Sequence, residues 1–566
     1  MDSRRLVIFF LIILVLAGIA MRFYAIDKDF SAEESDFINS AKAIFQTGHA
    51  RYYLSEQQPS ELGLWHPPMY IFMLSSLFNF GISEAIARSI NIVFSILTAF
   101  LIYLFCTTFL KEKAKLIGLF SSAFFLLNYY VLSSSILIDI DMLSAFFALS
   151  FVFFILFAHK KNTNLYYIPA SISLFFSIFN RYPIAFLIFV GLGIYIFFNK
   201  DLKKSFSKYF VTGIISLAAF LLIWGFYSTF VEPGTFFSFF FHNARLGGSQ
   251  FSSFSLYIST LFLNIAQFIR LFTLPACILL LFSIFYFARK RNHVTNTLLL
   301  YSISIFILFL IIPRPAFGYP RYFLTAVPAF SILISIFIID NIKKVGKKHI
   351  FVFILSFIVS LLILILLSPQ PIIYSGNGLI KATNLPDFIF NIFASIPLLL
   401  VLFYKKDKKV LAILCLIALV LSYSLYFNIS FLSNDTSTKE AGLYIKSVTS
   451  GNEIIIAPKA VAYYAERRYY QNDNNKPELN FSSQYLYLYF KKSLENPKMD
   501  DEFFWPKGFY SGFYNYPSAP DMEKVKEVSY AVLYHPVSGF SPEKKIGDFY
   551  IYKIDNNRRH FQLILV

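Results

Sequence analysis

Long apolar runs return along the whole of this chain, and short clusters of lysine and arginine separate them. The first run, "LVIFFLIILVLAGIAM" (Leu6–Met21), closely follows Arg4-Arg5. A helix needs about 20 apolar residues to cross the hydrocarbon core of a bilayer. Inside that core each backbone polar group must find a partner within the structure, so such runs fold as helices packed in a bundle. This rule places thirteen spans, near 6–24, 84–109, 116–132, 142–158, 165–179, 182–198, 209–230, 271–288, 296–312, 322–340, 350–368, 387–404 and 409–428. The first lacks a small-residue cleavage site and is read as an uncleaved span, not a signal peptide. Composition agrees: of 566 residues 57% are hydrophobic and 15% charged, which sets aside an ordinary soluble class.

The formal net charge is +17, and its location decides between a nucleic-acid surface and a membrane topology. The basic residues gather in "KEKAK" (111–115), "HKK" (159–161), "KDLKKSFSK" (200–208), "RKR" (289–291), "KKVGKK" (343–348) and "KKDKK" (405–409). With Arg4-Arg5 in the cytoplasm, all of them fall on the cytoplasmic side, as the positive-inside rule requires. No nucleic-acid partner is expected. The alternate loops, 25–83, 133–141, 180–181, 231–270, 313–321 and 369–386, are then extracytoplasmic and poor in lysine.

The expected architecture is an α-helical polytopic cell-membrane protein, with a transmembrane domain over 1–428 and a small extracytoplasmic α/β domain over 429–566. Residues 25–83 form its first outer loop, with surface helices. In the tail, "EIIIAP" (453–458), "YAVLYHP" (530–536) and "FYIYKI" (549–554) read as strands, and "STKEAGLYIKSV" (437–448) as a helix. Cys106, Cys277 and Cys415 each lie in an apolar run and read as small core residues.

Directly after the first span comes "SAEESDFINSAKAIFQTG" (Ser31–Gly48). Ser31 and Glu34 have the spacing of a capping box, in which each side chain satisfies the other's backbone N–H. Phe37, Ile38, Ala41, Ile44 and Phe45 recur at helical spacing and Gly48 closes the run, giving an amphipathic helix on the outer surface. Glu33 and Asp36 share its first turn. Acids there complement the helix dipole without any further role, but the cap leaves Glu33 unused. On this reading Glu34→Gln folds and largely works, since Gln also serves in a capping box. Further on, "LGLWHPPMYIFMLSSLFNFG" (62–81) opens a helix too short to span, with Pro67-Pro68 in its first turn and His66 at its mouth. A histidine beside Trp65 is by itself more often a packing residue than a catalyst.

The order of these pieces resembles a family. A first span, an acidic pair opening a surface helix, "HPPMY", and then "ISEAIARSINIVFSILTAFLIYLF" (82–105) are similar to the GT-C type glycosyltransferases that use polyprenyl-phosphate sugars. These include the protein O-mannosyltransferases and the lipid A aminoarabinose transferases. The resemblance is clearest over residues 1–200 and implies a GT-C fold. "SSILIDIDMLSAFF" (133–147) is similar to the family's second outer loop, with Asp141 aligned best and Asp139 its neighbour. "EPGTFFSFFFHNARLGG" (232–248) resembles the aromatic, His and Arg stretch of the aminoarabinose transferases at His242 and Arg245. "PRYFLTAVP" (320–328) resembles the family's Arg-Tyr before a late span, at Arg321 and Tyr322, and "YYAERRYY" (463–470) a recurring piece of the extracytoplasmic domain. The chain departs from the family in carrying Glu33 where the first acid is usually Asp. It also has no Trp-Trp-Asp motif, which disfavours en bloc oligosaccharide transfer to Asn.

The resemblance implies inverting transfer of a sugar from a polyprenyl- or dolichyl-phosphate donor to an acceptor hydroxyl, within the membrane-lipid surface. A carboxylate that takes the acceptor proton is typically worth about 10²–10⁴-fold. Glu33 is the expected base, with Glu34 beside it and Asp141 orienting the acceptor or sharing the proton. The leaving phosphate gains charge, and arginines fixed there lower the barrier. Arg181, Arg245 and Arg321, with His242, Tyr322 and His66, are the expected phosphate and substrate ligands, and Asp36 and Asp139 accessory acids. No metal spacing is present, so no cofactor is expected, with a divalent ion left open as an addition. The acceptor, whether protein, lipid or glycan, is not legible. A multi-pass transporter or flippase is the competing class, but it calls for charges deep in spans and paired broken helices. A membrane-anchored scaffold would not need so many spans.

Overall fold

The computed structural model describes residues 3–30, 32–49, 54, 68–199, 201–231, 261, 265, 268–269, 271–289, 292–311, 320–342, 347–367, 406–431, 437–471, 481–482, 528–533, 537–538 and 541–553. The helices begin with α1 (Ser3–Tyr24), α2 (Ala32–Thr47), α3 (Met69–Leu77), α4 (Glu84–Phe109), α5 (Ala114–Leu127) and α6 (Tyr129–Ile136). They continue with α7 (Asp141–Lys161), α8 (Tyr167–Phe198), α9 (Phe206–Phe226), α10 (Leu274–Arg289), α11 (His293–Ile311), α12 (Val327–Asn341), α13 (Lys347–Leu367) and α14 (Lys406–Phe431). Most follow the expected apolar runs, and α4 starts where Ser83 accepts from the Ile86 N–H at 3.3 Å. Among the described residues, 5 helices are long and apolar enough to cross a membrane, or 6 if α5 and α6 count as one span. The span expected at 387–404 lies outside the described residues.

Two local readings change. The single span expected over 116–132 is broken: α5 and α6 meet at an angle of 64°. Asn128 causes the break by competing with the helical backbone. Its Oδ1 accepts from the N–H groups of Tyr130 (3.0 Å) and Val131 (3.2 Å), starting a new helix, while its Nδ2 donates to the Leu271 carbonyl at 2.9 Å. The two helices expected at 165–179 and 182–198 are both present, as the arms of α8 on either side of a break at Arg181 (φ −151°, ψ 73°), with Pro183 just after it. Proline removes a backbone donor and does not sit in an unbroken helix. Tyr195 and Ile196 line the same small cavity as His159 and Tyr167, so the arm after Arg181 returns beside the arm before it.

The second change concerns α2. It does not lie on a surface, because α3 packs on one side and a helix from the carboxy-terminal region on another. Ile38, Asn39, Ser40, Ala41 and Lys42 are all buried. Phe37 meets Tyr70 of α3 edge-on at 5.5 Å. The α3 helix is short, as expected, and Gly81 ends its extension with φ 118°, a conformation that favours glycine. Arg22 at the end of α1 is fully buried and donates to Ser95 Oγ (2.9 Å) and the Leu126 carbonyl (3.1 Å), tying α1 to α4 and α5. Cys106 and Cys277 are buried free thiols in the helices, as expected of core residues.

The carboxy-terminal region carries α15 (Ser437–Val448), β1 (Ile454–Ala457), α16 (Lys459–Ala465), β2 (Arg468–Gln471), β3 (Phe481–Ser482), β4 (Val528–Leu533), β5 (Val537–Ser538), β6 (Lys544–Ile546) and β7 (Phe549–Lys553). The 5-stranded sheet has the order β2-β1-β4-β7-β6. β1 pairs in parallel with β2 and β4, and β7 pairs antiparallel with β4 and β6. Ala441, Ile445, Ile455, Val461 and Ile551 close its apolar core against α15 and α16. Leu54, from the segment between α2 and α3, accepts from the Tyr469 N–H of edge strand β2 at 3.0 Å.

Candidate active site

Charged groups gather where α2, the start of α4, the α6–α7 connection and the break in α8 meet. Glu34 and Arg88 form the first pair, and each side chain is almost fully buried. Arg88 Nε donates to Glu34 Oε1 and Arg88 Nη2 to Oε2, both at 3.1 Å, a fork geometry that adds direction to charge. Arg88 also donates to the carbonyls of Ile26 (3.1 Å), Asp29 (2.8 Å) and Lys28. It thereby binds the strap that leads from α1 to α2. Glu34 Oε1 in turn accepts from the Ile138 N–H at 3.1 Å. Glu34 therefore does more than close its own helix. Engaged on both oxygens by Arg88, it is a buried clamp between α2, α4 and the 137–140 connection, a larger role than the helix cap expected of it.

That connection holds the acids of the second outer loop. Asn91, one turn along α4 from Arg88, donates to the Asp139 carbonyl at 2.7 Å. Asp139 Oδ1 accepts from the Ile140 N–H at 2.6 Å. Asp141 opens α7 and pairs with Arg181 Nη1, at the interruption of α8. Next to it Asn180 donates to the Ile140 carbonyl and to Ser144 Oγ, both at 2.7 Å. The non-helical backbone at Arg181 thus turns its guanidinium toward Asp141, while Asn180 fastens the break to α7. Asp139 and Asp141 are both buried.

Tyr70, the tyrosine of "HPPMY", completes the cluster. It is fully buried, and its hydroxyl lies near the Asp139 backbone without a hydrogen-bond partner among the described residues. Burial first, then the carboxylates of Asp139 and Glu34, push its phenol well above the usual tyrosine range.

The structure therefore brings together Glu34, Asp139, Asp141 and Arg181 of the residues marked in the sequence. Glu33 and Asp36 lie on α2, next to Glu34, but their side chains are outside the described residues, as are those of Arg321 and Tyr322. His66, His242 and Arg245 fall wholly outside them. Among the described residues no three His, Cys, Asp or Glu side chains group as metal ligands. The sequence pattern alone did not mark Arg88, Asn91, Asn180 or Tyr70 as parts of the site. The usable signal was an arginine and an asparagine three apart near the start of an apolar helix, since polar groups within spans are costly and mark functional positions. Chemically, the cluster offers carboxylates, a guanidinium that can also meet a phosphate, and a buried phenol donor.

A family model described as dolichyl-phosphate-mannose-protein mannosyltransferase matches residues 65–224, which include Arg88, Asp139, Asp141 and Arg181. Among solved structures the chain is similar to ArnT from Cupriavidus metallidurans bound to undecaprenyl phosphate, with 14% identity, a TM-score of 0.63, and 96% of this chain and 97% of that one covered. The apo state of the same protein gives 12% identity and a TM-score of 0.59 at the same coverage. At such identities the likeness establishes a shared fold. The oligosaccharyltransferase AglB from Archaeoglobus fulgidus is similar at 11% identity, with 92% of this chain and 68% of that chain covered and a TM-score of 0.45. No curated protein matches the sequence.

Proposed function

We propose that the chain is a membrane glycosyltransferase of the GT-C type, as its family-model match over residues 65–224 and its fold support, and that it moves a sugar from a polyprenyl-phosphate donor to an acceptor hydroxyl at the extracytoplasmic face, with inversion at the anomeric carbon. The observation that carries this reading is the meeting of two acid–arginine pairs, Glu34–Arg88 and Asp141–Arg181, at one end of an apolar bundle. A donor whose lipid stays in the bilayer must be met at such an end. The relative solved with undecaprenyl phosphate supports a ligand of that class.

In this reading Glu33 takes the acceptor proton, Asp141 orients the acceptor, and Arg181, Arg245 and Arg321 meet the phosphate as it leaves. His66, His242 and Tyr322 complete the substrate contacts. Asp36 and Asp139 hold the acidic surroundings. The arginines carry the leaving-group charge in this step. Residues 1–428 form the catalytic membrane domain, and 429–566 an extracytoplasmic domain above it.

The test is purified protein with a radiolabelled polyprenyl-phosphate sugar: label should pass from the lipid to an acceptor fraction as polyprenyl phosphate is released. Label that stays lipid-bound but crosses the bilayer would make the protein a flippase. Orientation is checked by cysteine labelling at Lys347 and Asn480. The charge bias places the first inside and the second outside, and labelling of both from one side would reject the topology.

A further inference from the structure

We infer that Tyr464 and Lys439, in the helices beside the carboxy-terminal sheet, are positioning residues for the acid–arginine cluster and act on it through the strap between α1 and α2 and through Glu84 at the start of α4. This rests on the function proposed above. The carboxy-terminal helices grip that strap at several points. Tyr464 of α16 accepts from the Phe30 N–H at 3.0 Å and donates to Glu84 Oε1 at 3.0 Å. Lys439 of α15 donates from Nζ to the same Glu84 oxygen at 2.7 Å, and from its backbone N–H to Asp29 Oδ2 at 2.7 Å. The Phe30 ring stacks on Tyr464 (5.7 Å, 13° between planes) and meets Tyr463 edge-on at 5.3 Å.

The cluster begins on the other side of the same strap. The Arg88 guanidinium lies 5.3 Å from the Phe30 ring centre and takes the carbonyls of Ile26, Lys28 and Asp29. Arg88 orients Glu34, and Glu34 holds Ile138 beside Asp139. A continuous path thus runs from Tyr464 and Lys439, through Asp29, Phe30 and Glu84, to Arg88, Glu34 and the acidic connection. Such networks hold geometry when every member is satisfied, and a small misplacement of a reacting group is costly in rate.

Tyr464→Phe keeps the ring stack but removes both hydroxyl bonds, and Lys439→Met removes the Glu84 pair. Both are made in the full-length protein, with Lys446→Met as a control that pairs elsewhere, with Glu466. Two measurements separate this inference from the proposed function. Hydrogen exchange of the 134–140 segment needs no transfer activity. Its Ile138 amide should exchange about 10-fold faster in Tyr464→Phe and Lys439→Met, and at the wild-type rate in Lys446→Met. In the transfer assay, kcat should fall about 10-fold with donor KM unchanged, and Glu84→Gln, which still accepts hydrogen bonds, should lose less. Faster exchange at Phe30 with Ile138 unchanged would overturn the inference, since the strap would then loosen without reaching the cluster. So would changed exchange at Ile138 with kcat intact. A wild-type protein inactive with every polyprenyl-phosphate sugar would remove the proposed function and leave the exchange result standing.

Discussion

Replacing Arg88 by methionine is expected to destabilise the protein by about 3–5 kcal/mol, the usual cost of removing one partner from a buried ion pair. Methionine fills much of the arginine volume but leaves Glu34, 1% exposed, without its cation. It also strips donors from the carbonyls of Ile26, Lys28 and Asp29. Buried acceptors left unmade are themselves costly. Arg88→Lys should recover only part of the loss, because an ammonium cannot reproduce the fork to both Glu34 oxygens while reaching the strap. Thermal unfolding of the detergent-purified variants measures this. Arg88→Met melting with the wild type would show that the pair contributes nothing. Glu34→Gln should now be clearly destabilised too, contrary to its expected tolerance as a simple cap, because it leaves Arg88 as the unpaired charge.

Asp141→Asn should lower turnover by at least about 10², while donor affinity holds or improves. Asparagine keeps the shape and one acceptor oxygen but removes the charge that Arg181 meets. A guanidinium with several donors in a fixed fork is then freer to meet the lipid phosphate, which favours binding. Transfer suffers because the acceptor hydroxyl loses the carboxylate that orients it, and misplacing a reacting group by about 1 Å can cost about 10²-fold. The readout is therefore a split, with kcat down and donor Kd flat or lower. A fall in both affinity and stability with kcat per folded molecule unchanged would leave Asp141 as a structural partner of Arg181 and nothing more.

The parts of this architecture that were legible in the sequence are those written in local pattern. Apolar runs bounded by basic clusters placed most of the helices, α4 at its observed limits of 84 and 109. The strand-like runs near 454, 530 and 550 became β1, β4 and β7. The short strands β2 and β6 went unseen because they are held by neighbours in the sheet more than by their own composition. The break at Asn128 was hidden because a single polar residue in an apolar run reads as tolerated, and the carbonyl that takes its Nδ2, that of Leu271, lies far along the chain. Partnership in the site was illegible for a similar reason. Glu34 and Arg88 are 54 positions apart, so nothing in the local spacing marks them as a pair. Glu34 looked like a cap because capping is the role that local spacing can express. The burial of α2 was missed because both surfaces that cover it come from distant segments.

Which carboxylate moves the proton is decided by single-turnover transfer of a radiolabelled sugar by Glu33→Gln, with donor binding measured alongside. Glutamine preserves size and hydrogen bonding but cannot take a proton at neutral pH. The predicted result is at least an about 10²-fold slower transfer at wild-type donor affinity. Transfer by Glu33→Gln at the wild-type rate would contradict the account and move the base to Asp141 or elsewhere.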